Sequence, residues 1–127
     1  VLMREFLRHT SHGKIINMLD RRVAGNEAGC LAYLMSKKAL AELTRSSAIE
    51  LAPGITVNGV APGPVLPAVG KHLDKDKRKA GHVPLGRKPT PADVAEAVIF
   101  LLEADAITGQ VLFVDGGQHL LAAGEQT

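Results

Sequence analysis

Apolar residues recur along the chain in two different periods, and the change from one period to the other predicts the order of the secondary structure. Residues 14 to 19, KIINML, form a short and mostly apolar run that predicts a buried strand. The next ten residues, 20 to 29, contain two glycines and several charges and predict a surface loop. Before the strand, apolar residues of segment 1 to 10 follow a helical spacing: Leu2, Met3, Phe6 and Leu7.

The longest predicted helix covers residues 30 to 52. It contains neither glycine nor proline, its leucines keep a helical period, and Pro53 and Gly54 end it. Residues 55 to 60, ITVNGV, are β-branched and apolar and predict a second strand. The prolines of residues 61 to 67, APGPVLP, require an irregular loop after that strand.

A third helix and a third strand complete the pattern. Residues 90 to 104 begin with Thr90 as a capping residue, Pro91 at the first helical position and Asp93 as the partner of the cap. Residues 109 to 117, GQVLFVDGG, predict a strand that a double-glycine turn closes. The charged run from 71 to 82 predicts a short exposed helix or a mobile segment.

Helix and strand alternate three times, with connections long enough for crossovers, which predicts an α/β fold with parallel strands. Three strands are few for a sheet that must be covered on both faces and would leave a long unpaired edge. We therefore expect the chain to be part of something larger.

Composition excludes several classes of function. The formal charge of +2 is far from the dense positive surface of a nucleic-acid-binding protein. No apolar run approaches the roughly 18 residues of a membrane span, so we expect no membrane association. A single cysteine, Cys30, favours a reducing compartment, and we expect the cytoplasm. None of the five histidines stands in a metal-binding motif, so no metal site is predicted.

Tyr33 and Lys37 are candidates for proton transfer, since residues four apart share one face of a helix. A nearby ammonium group favours the phenolate, so Lys37 should lower the pKa of Tyr33 below its usual value of about 10. The alternative is coincidence, because a lysine follows a given tyrosine at this spacing about one time in fifteen by composition alone.

Asp20 and Gly63 each follow a predicted strand, where ligands of open α/β sheets bind. Asp20 can reach the start of the next helix, and Gly63 exposes backbone to a flat ring. Alternatively, Asp20 could be a carboxylate that only opens a turn, and Gly63 could be part of a loop that is simply rigid. Arg21 and Arg22 could meet an anionic substrate group or simply be solvated.

Seven segments, in the same order along nearly the whole chain, resemble the short-chain dehydrogenase/reductase family. They are KIINML, the Tyr-x-x-x-Lys of YLMSK, ALAELTRSSAIELAP, ITVNGVAPGPV, PLGR, TPADVAEAVIFLL and ITGQVLFVDGG. The resemblance implies the C-terminal half of a Rossmann-like, doubly wound parallel sheet with flanking helices. Residues 1 to 127 would then be the C-terminal, catalytic part of a single dinucleotide-binding reductase domain, without its glycine-rich N-terminal half.

The position of Asp20 narrows the resemblance. Most members of the family have a serine thirteen residues before the tyrosine, and an aspartate there is similar to pteridine and dihydromonapterin reductases. The resemblance implies that Tyr33 donates a proton to a pterin, that Asp20 is its partner, and that Lys37 contacts the nicotinamide ribose. The backbone at Pro62, Gly63 and Val65 would form the walls of the nicotinamide site.

The implied cofactor is NADPH, although NADH is not excluded, and the implied partners are a small-molecule substrate and further copies of the chain in a tetramer. The family's glycine-rich dinucleotide turn is absent from these 127 residues, so we expect weak or no NADPH binding by the chain alone. Segment 71 to 82 stands where relatives have a substrate lid, but a charged run of this kind generally forms a solvated surface, and we expect that here. The alternatives are reduction of another carbonyl compound, such as an oxoacyl thioester, sugar or alcohol, and a non-catalytic assembly module.

Overall fold

The predicted alternation of helix and strand is present in the computed structural model, which describes residues 2 to 66 and 82 to 121. Within these two ranges, two short 3-10 helical turns accompany three α-helices and three strands. In chain order the helices and strands are α1 (Leu2–His9), β1 (Gly13–Met18), α2 (Leu31–Glu50), β2 (Ile55–Pro62), α3 (Pro91–Glu103) and β3 (Val111–Val114). The turns are Arg21–Ala24, after β1, and Gln118–Leu120, after β3.

Two predicted segments differ from the observed elements. The strand predicted over 109 to 117 covers only Val111–Val114. The predicted double-glycine turn follows it, since Gly116 and Gly117 have φ values of +65° and +88°. The predicted loop 20 to 29 includes the 3-10 turn Arg21–Ala24. Apart from His82, the predicted segment 71 to 82 lies outside the described residues.

The three strands form a parallel sheet in the order β1-β2-β3, which confirms the predicted α/β class. Met18 pairs with Val60, and Pro62 pairs with Val114. All three carboxyl ends therefore lie at one edge of the sheet. Asp20, two residues beyond Met18, lies about level with Pro62, because paired strands rise equally per residue.

Alternate residues of the central strand face different helices. Ile55, Val57 and Ala61 belong to apolar clusters with small residues of α2, namely Ala41 and Ala48. Val60 packs instead against α3, where Ala97 and Leu101 are buried. Since side chains alternate across a strand, α2 and α3 cover opposite faces of the sheet. The buried alanines let α2 lie close to β2.

The predicted capping box begins α3. Thr90 Oγ1 accepts a hydrogen bond from the Asp93 N–H at 3.2 Å, and Asp93 Oδ2 accepts one from the Thr90 N–H at 2.7 Å. Arg87 Nη1 lies 3.0 Å from the same Asp93 oxygen. These contacts satisfy backbone donors at the helix start and tie it to the preceding loop.

Candidate active site

Asp20 and Tyr33 meet at the carboxyl edge of the sheet. Asp20 follows β1, and Tyr33 lies in the first turn of α2. The Tyr33 hydroxyl donates a hydrogen bond to Asp20 Oδ2 at 2.8 Å. The loop between β1 and α2 therefore brings the start of α2 back to the carboxyl end of β1.

The Asp20 carboxylate is also the cap of the 3-10 turn. Its Oδ1 accepts a hydrogen bond from the Arg22 N–H at 2.8 Å, and the side chain is only 15% exposed. Each carboxylate oxygen therefore has its own donor, which defines the orientation of Asp20 relative to Tyr33.

Lys37 lies one turn after Tyr33 on the same face of α2, as the spacing predicts. Its Nζ donates to the carbonyl oxygen of Met18, the last residue of β1, at 2.9 Å and lies 5.8 Å from the Tyr33 ring centroid. The structure therefore brings together the three side chains that the sequence nominates for catalysis.

The pKa of Tyr33 moves in the direction opposite to our expectation. Partial burial, the hydrogen bond to Asp20 and the negative charge of that carboxylate raise the pKa of Tyr33 to about 12. Arg22 is the cation that opposes the rise. The prediction that Lys37 would lower the pKa was wrong because burial and the directly bonded Asp20 carboxylate dominate the pKa of Tyr33, while the Lys37 ammonium group is bound to the Met18 carbonyl.

Arg22 contacts two carboxylates of the protein. Its Nε lies 2.7 Å from Glu27 Oε2, and its Nη1 lies 3.5 Å from Asp20 Oδ2. Arg21 also reaches Glu27, at 3.7 Å. These ion pairs were not predicted from the sequence. The available signal was Glu27, an acidic residue in the same loop as the two arginines.

A cavity of about 320 Å³ opens at the end of β2. Its lining includes the three predicted cofactor-site residues: Pro62, Gly63 and Val65. Among the described residues, Leu66 and, from α3, Pro91 and Val94 also line the cavity, and this lining is mostly apolar. A flat, uncharged ring system fits a cleft of this chemistry.

Gly63 has a structural role that the sequence did not indicate. A Cβ at this position would lie 2.8 Å from Asp115 Cβ and 2.9 Å from Asp115 Cα. The Gly63 N–H donates to the carbonyl oxygen of Val114 at 2.9 Å. Glycine here allows the chain after β2 to lie against the end of β3.

Asp115, which was not predicted as a site residue, organises the end of β3. Its carboxylate is buried and accepts hydrogen bonds from the N–H groups of Gly117 and His119 at 3.0 and 2.6 Å. The His119 Nδ1 lies 2.9 Å from Asp115 Oδ2, and the imidazole stacks on Phe113 with ring centroids 4.0 Å apart. The available signal was a histidine four residues after the aspartate of VDGG.

Two features are absent from the part of the chain that the structure describes: a cluster of metal ligands and a membrane-spanning helix. Within residues 2 to 66 and 82 to 121, no three histidine, cysteine, aspartate or glutamate side chains are grouped so that they could hold a metal ion. No helix in those ranges combines the length and the apolar character that crossing a membrane requires.

Known proteins with similar sequences are reductases and dehydrogenases. Residues 2 to 119 match the family described as enoyl-(acyl carrier protein) reductase. The 3-oxoacyl-[acyl-carrier-protein] reductase of Rattus norvegicus is 42% identical over 111 residues, which are 87% of this chain and 47% of the rat protein. The short-chain dehydrogenase/reductase homolog YusR of Bacillus subtilis is 35% identical over 117 residues, with 91% of this chain and 90% of YusR covered.

A solved structure with a similar fold contains a dinucleotide. The crystal structure of FolM alternative dihydrofolate reductase 1 from Brucella suis in complex with NADP matches with a TM-score of 0.86 and 35% identity, covering 96% of this chain and 51% of that one. The chain thus spans about half the length of the FolM chain and of the rat reductase, but 90% of YusR. With a family match over residues 2 to 119 and the matching parallel fold, the chain belongs to the short-chain dehydrogenase/reductase family.

Proposed function

We propose that this chain is the catalytic part of an NADPH-dependent reductase that reduces a pterin ring of the dihydropteridine or dihydrofolate type. The observation that carries the proposal is the 2.8 Å hydrogen bond between the Tyr33 hydroxyl and Asp20 Oδ2. The likeness to FolM, a protein named as an alternative dihydrofolate reductase, supports the same substrate class.

Reduction of a C=N bond in such a ring adds a hydride to carbon and a proton to nitrogen. When bound, a reduced nicotinamide supplies the hydride. Tyr33 gives its phenolic proton to the ring nitrogen, and Asp20, whose carboxylate accepts the Tyr33 hydroxyl in the resting protein, takes up a proton from solvent and passes it to Tyr33 Oη. The C=N bond becomes a C–N single bond once the hydride has reached carbon and the proton has reached nitrogen, and Asp20 returns to its carboxylate form.

The raised pKa of Tyr33 favours this relay over a phenolate intermediate. A phenol with a pKa of about 12 is a weak acid at neutral pH. If Asp20 replaces the proton as Tyr33 releases it, no full negative charge develops on Oη. A serine in place of Asp20 could donate a hydrogen bond but has no carboxylate that could take up a proton and pass it to Tyr33.

The residues present fit the nicotinamide end of the cofactor. Pro62, Gly63 and Val65 line the apolar cavity at the end of β2, which suits a flat ring. Lys37 has three donors, of which the Met18 carbonyl uses one, so the others are available for ribose hydroxyls. We propose that these four residues hold the nicotinamide riboside.

The proposal extends to the organisation of the whole protein. Residues 1 to 127 would form the catalytic part of a single dinucleotide-binding domain that acts on a small molecule and assembles as a homo-oligomer. Among the described residues, β1 pairs with β2 alone, so one edge of β1 is available for a further strand.

Turnover of two substrates by three forms of the protein tests the proposal. The native protein, isolated from its own cells, is compared with Tyr33→Phe and Asp20→Ser in NADPH oxidation with 7,8-dihydrobiopterin and with an acetoacetyl thioester. We expect Tyr33→Phe to lose at least 100-fold of its pterin turnover, the low end of the usual effect of acid catalysis. Asp20→Ser should lose at least tenfold.

The control is Arg45→Gln, which changes an exposed arginine of α2 that pairs with Glu42 at 3.6 Å. It should keep the turnover of the native protein. Undiminished pterin turnover in Asp20→Ser would remove the main support for a pterin substrate.

A second candidate is reduction of a 3-oxoacyl thioester, which the 42% identity with the rat 3-oxoacyl-[acyl-carrier-protein] reductase favours. A ketone oxygen needs one hydroxyl donor, and Tyr33 supplies it. Thioester turnover that exceeds pterin turnover in the native protein, and that survives Asp20→Ser, would select this candidate.

A further inference from the structure

Arg22 holds the Asp20 carboxylate from two directions. Its backbone N–H donates to Oδ1 at 2.8 Å, and its guanidinium Nη1 lies 3.5 Å from Oδ2, the oxygen that accepts the Tyr33 hydroxyl. We propose that Arg22 is a positioning residue that orients Asp20 toward Tyr33 and provides the countercharge for proton delivery by this pair. The inference rests on the proposed function of Asp20 and Tyr33.

Glu27 prevents the guanidinium group from moving freely. The Arg22 Nε lies 2.7 Å from Glu27 Oε2, shorter than its approach to Asp20. The planar guanidinium group can contact both carboxylates at once, which an ammonium group on a flexible stem does less well. Glu27 therefore holds Arg22 in place before any substrate arrives.

The partial burial of the group gives its charge more effect than a surface arginine has. The side chains of Arg22 and Asp20 are 35% and 15% exposed. Coulombic interactions are screened less in such positions than in bulk water. A positive charge near Oδ2 favours negative charge on the Asp20–Tyr33 pair, and Arg22 accordingly acts to lower the pKa of Tyr33.

Other ionisable groups also surround Tyr33. Asp20 and the Cys30 thiol act to raise its pKa, and Lys37 lies on the same helix with its Nζ on the Met18 carbonyl. The turn Gln118–Leu120 packs against the turn that contains Arg22 and contributes His119, whose Nδ1 contacts Asp115. Arg22 differs from these groups because its cation directly contacts the carboxylate that Tyr33 also contacts.

Arg22→Gln separates the charge of the Arg22 side chain from the backbone contact that positions Asp20. The variant keeps the backbone N–H that binds Asp20 Oδ1 and removes the positive charge. Arg22→Lys keeps the charge and loses the planar fork. Arg45→Gln is the matched control, since it removes an arginine from an exposed ion pair of α2.

Tyrosine labelled with ¹³C at Cζ gives one NMR signal, because Tyr33 is the only tyrosine of the chain. With a pKa of about 12, about a tenth of Tyr33 is ionised at pH 11. We expect Arg22→Gln to lower that ionised fraction at least twofold, while Arg22→Lys and Arg45→Gln change it less. Circular dichroism at pH 11 verifies that each variant is folded.

Turnover supplies the second measurement. For 7,8-dihydrobiopterin, we expect Arg22→Gln to lower kcat about threefold to tenfold with KM changed less than twofold, and Arg22→Lys to recover part of the loss. An ionised fraction in folded Arg22→Gln equal to or above that of the native protein would overturn the countercharge role. Because the NMR titration needs no substrate, it decides the role of Arg22 even if the native protein fails to reduce a pterin.

Discussion

Asp20→Asn removes the negative charge beside Tyr33 and keeps a hydrogen-bond acceptor of nearly the same size. In the native protein the pKa of Tyr33 is raised from 10.0 to about 12. Partial burial is the largest cause, and the variant leaves it in place. The hydrogen bond to Asp20 and the carboxylate charge follow in importance, and the variant weakens the first and abolishes the second.

The expected result is a fall of the Tyr33 pKa by about 1. At pH 11 the ionised fraction should then rise from about a tenth to about a half, a fivefold change. Cζ-labelled tyrosine reports this fraction, and the phenolate absorbance provides an independent check because the chain contains no tryptophan. An unchanged titration of the folded variant would refute the assignment of the raised pKa to Asp20.

The same shift predicts how stability depends on pH. The folded protein holds the Tyr33 proton more tightly than the unfolded chain, whose tyrosine titrates near 10. This contribution to stability is complete below pH 10 and is lost as the pH rises from 10 to about 12. Urea unfolding of Asp20→Asn should show a smaller loss over that interval, and an equal loss would contradict the linkage.

Three further predictions concern packing and cofactor binding. Gly63→Ala forces a Cβ to within 2.9 Å of Asp115 and should lower the free energy of unfolding in urea by about 1 to 3 kcal/mol. The control is Gly25→Ala, where no atom lies within 4 Å of the added carbon, and it should cost under about 1 kcal/mol. Leu101→Ala should lower the free energy of unfolding by about 3 kcal/mol because Leu101 is 2% exposed. Leu102, which is 45% exposed, is the control, and Leu102→Ala should cost under about 1 kcal/mol. NADPH titrated into the 127-residue chain should give a Kd above about 1 μM, since the sequence has no glycine-rich turn for the pyrophosphate; a submicromolar Kd would contradict this.

The helices and strands could be predicted because burial of one face imposes a period on the sequence. In β2, Val57 and Val60 are fully buried and face different helices, so both faces of the strand are apolar. The end of β3 was predicted less well. Residues 115 to 117 follow the apolar run, and Gly116 and Gly117 make the predicted turn with positive φ, but nothing in the sequence indicated that Asp115 would be buried there.

Contacts between distant segments were not visible in the sequence. Gly63 is constrained by Asp115, 52 positions later, and nothing local distinguishes it from a glycine that serves a ligand. The juxtaposition of Asp20 with Tyr33 could be anticipated because parallel strands and their following helices share one edge. The direction of the Tyr33 pKa shift could not be anticipated, because it depends on how far the phenol is buried and on whether a carboxylate comes within hydrogen-bonding distance.

Asp20 joins the fold of its loop to the chemistry of Tyr33, and this connection determines which substitutions are informative. One oxygen binds the Arg22 N–H and caps the 3-10 turn, and the other binds the Tyr33 hydroxyl. Alanine at position 20 would remove both contacts, so a loss of turnover could come either from a displaced loop or from the missing carboxylate. Asparagine and serine can each still cap a turn, but neither has a carboxylate that can take up a proton and pass it on. If both variants keep the loop and lose pterin turnover, the carboxylate of Asp20 is required for proton transfer and not merely for its shape.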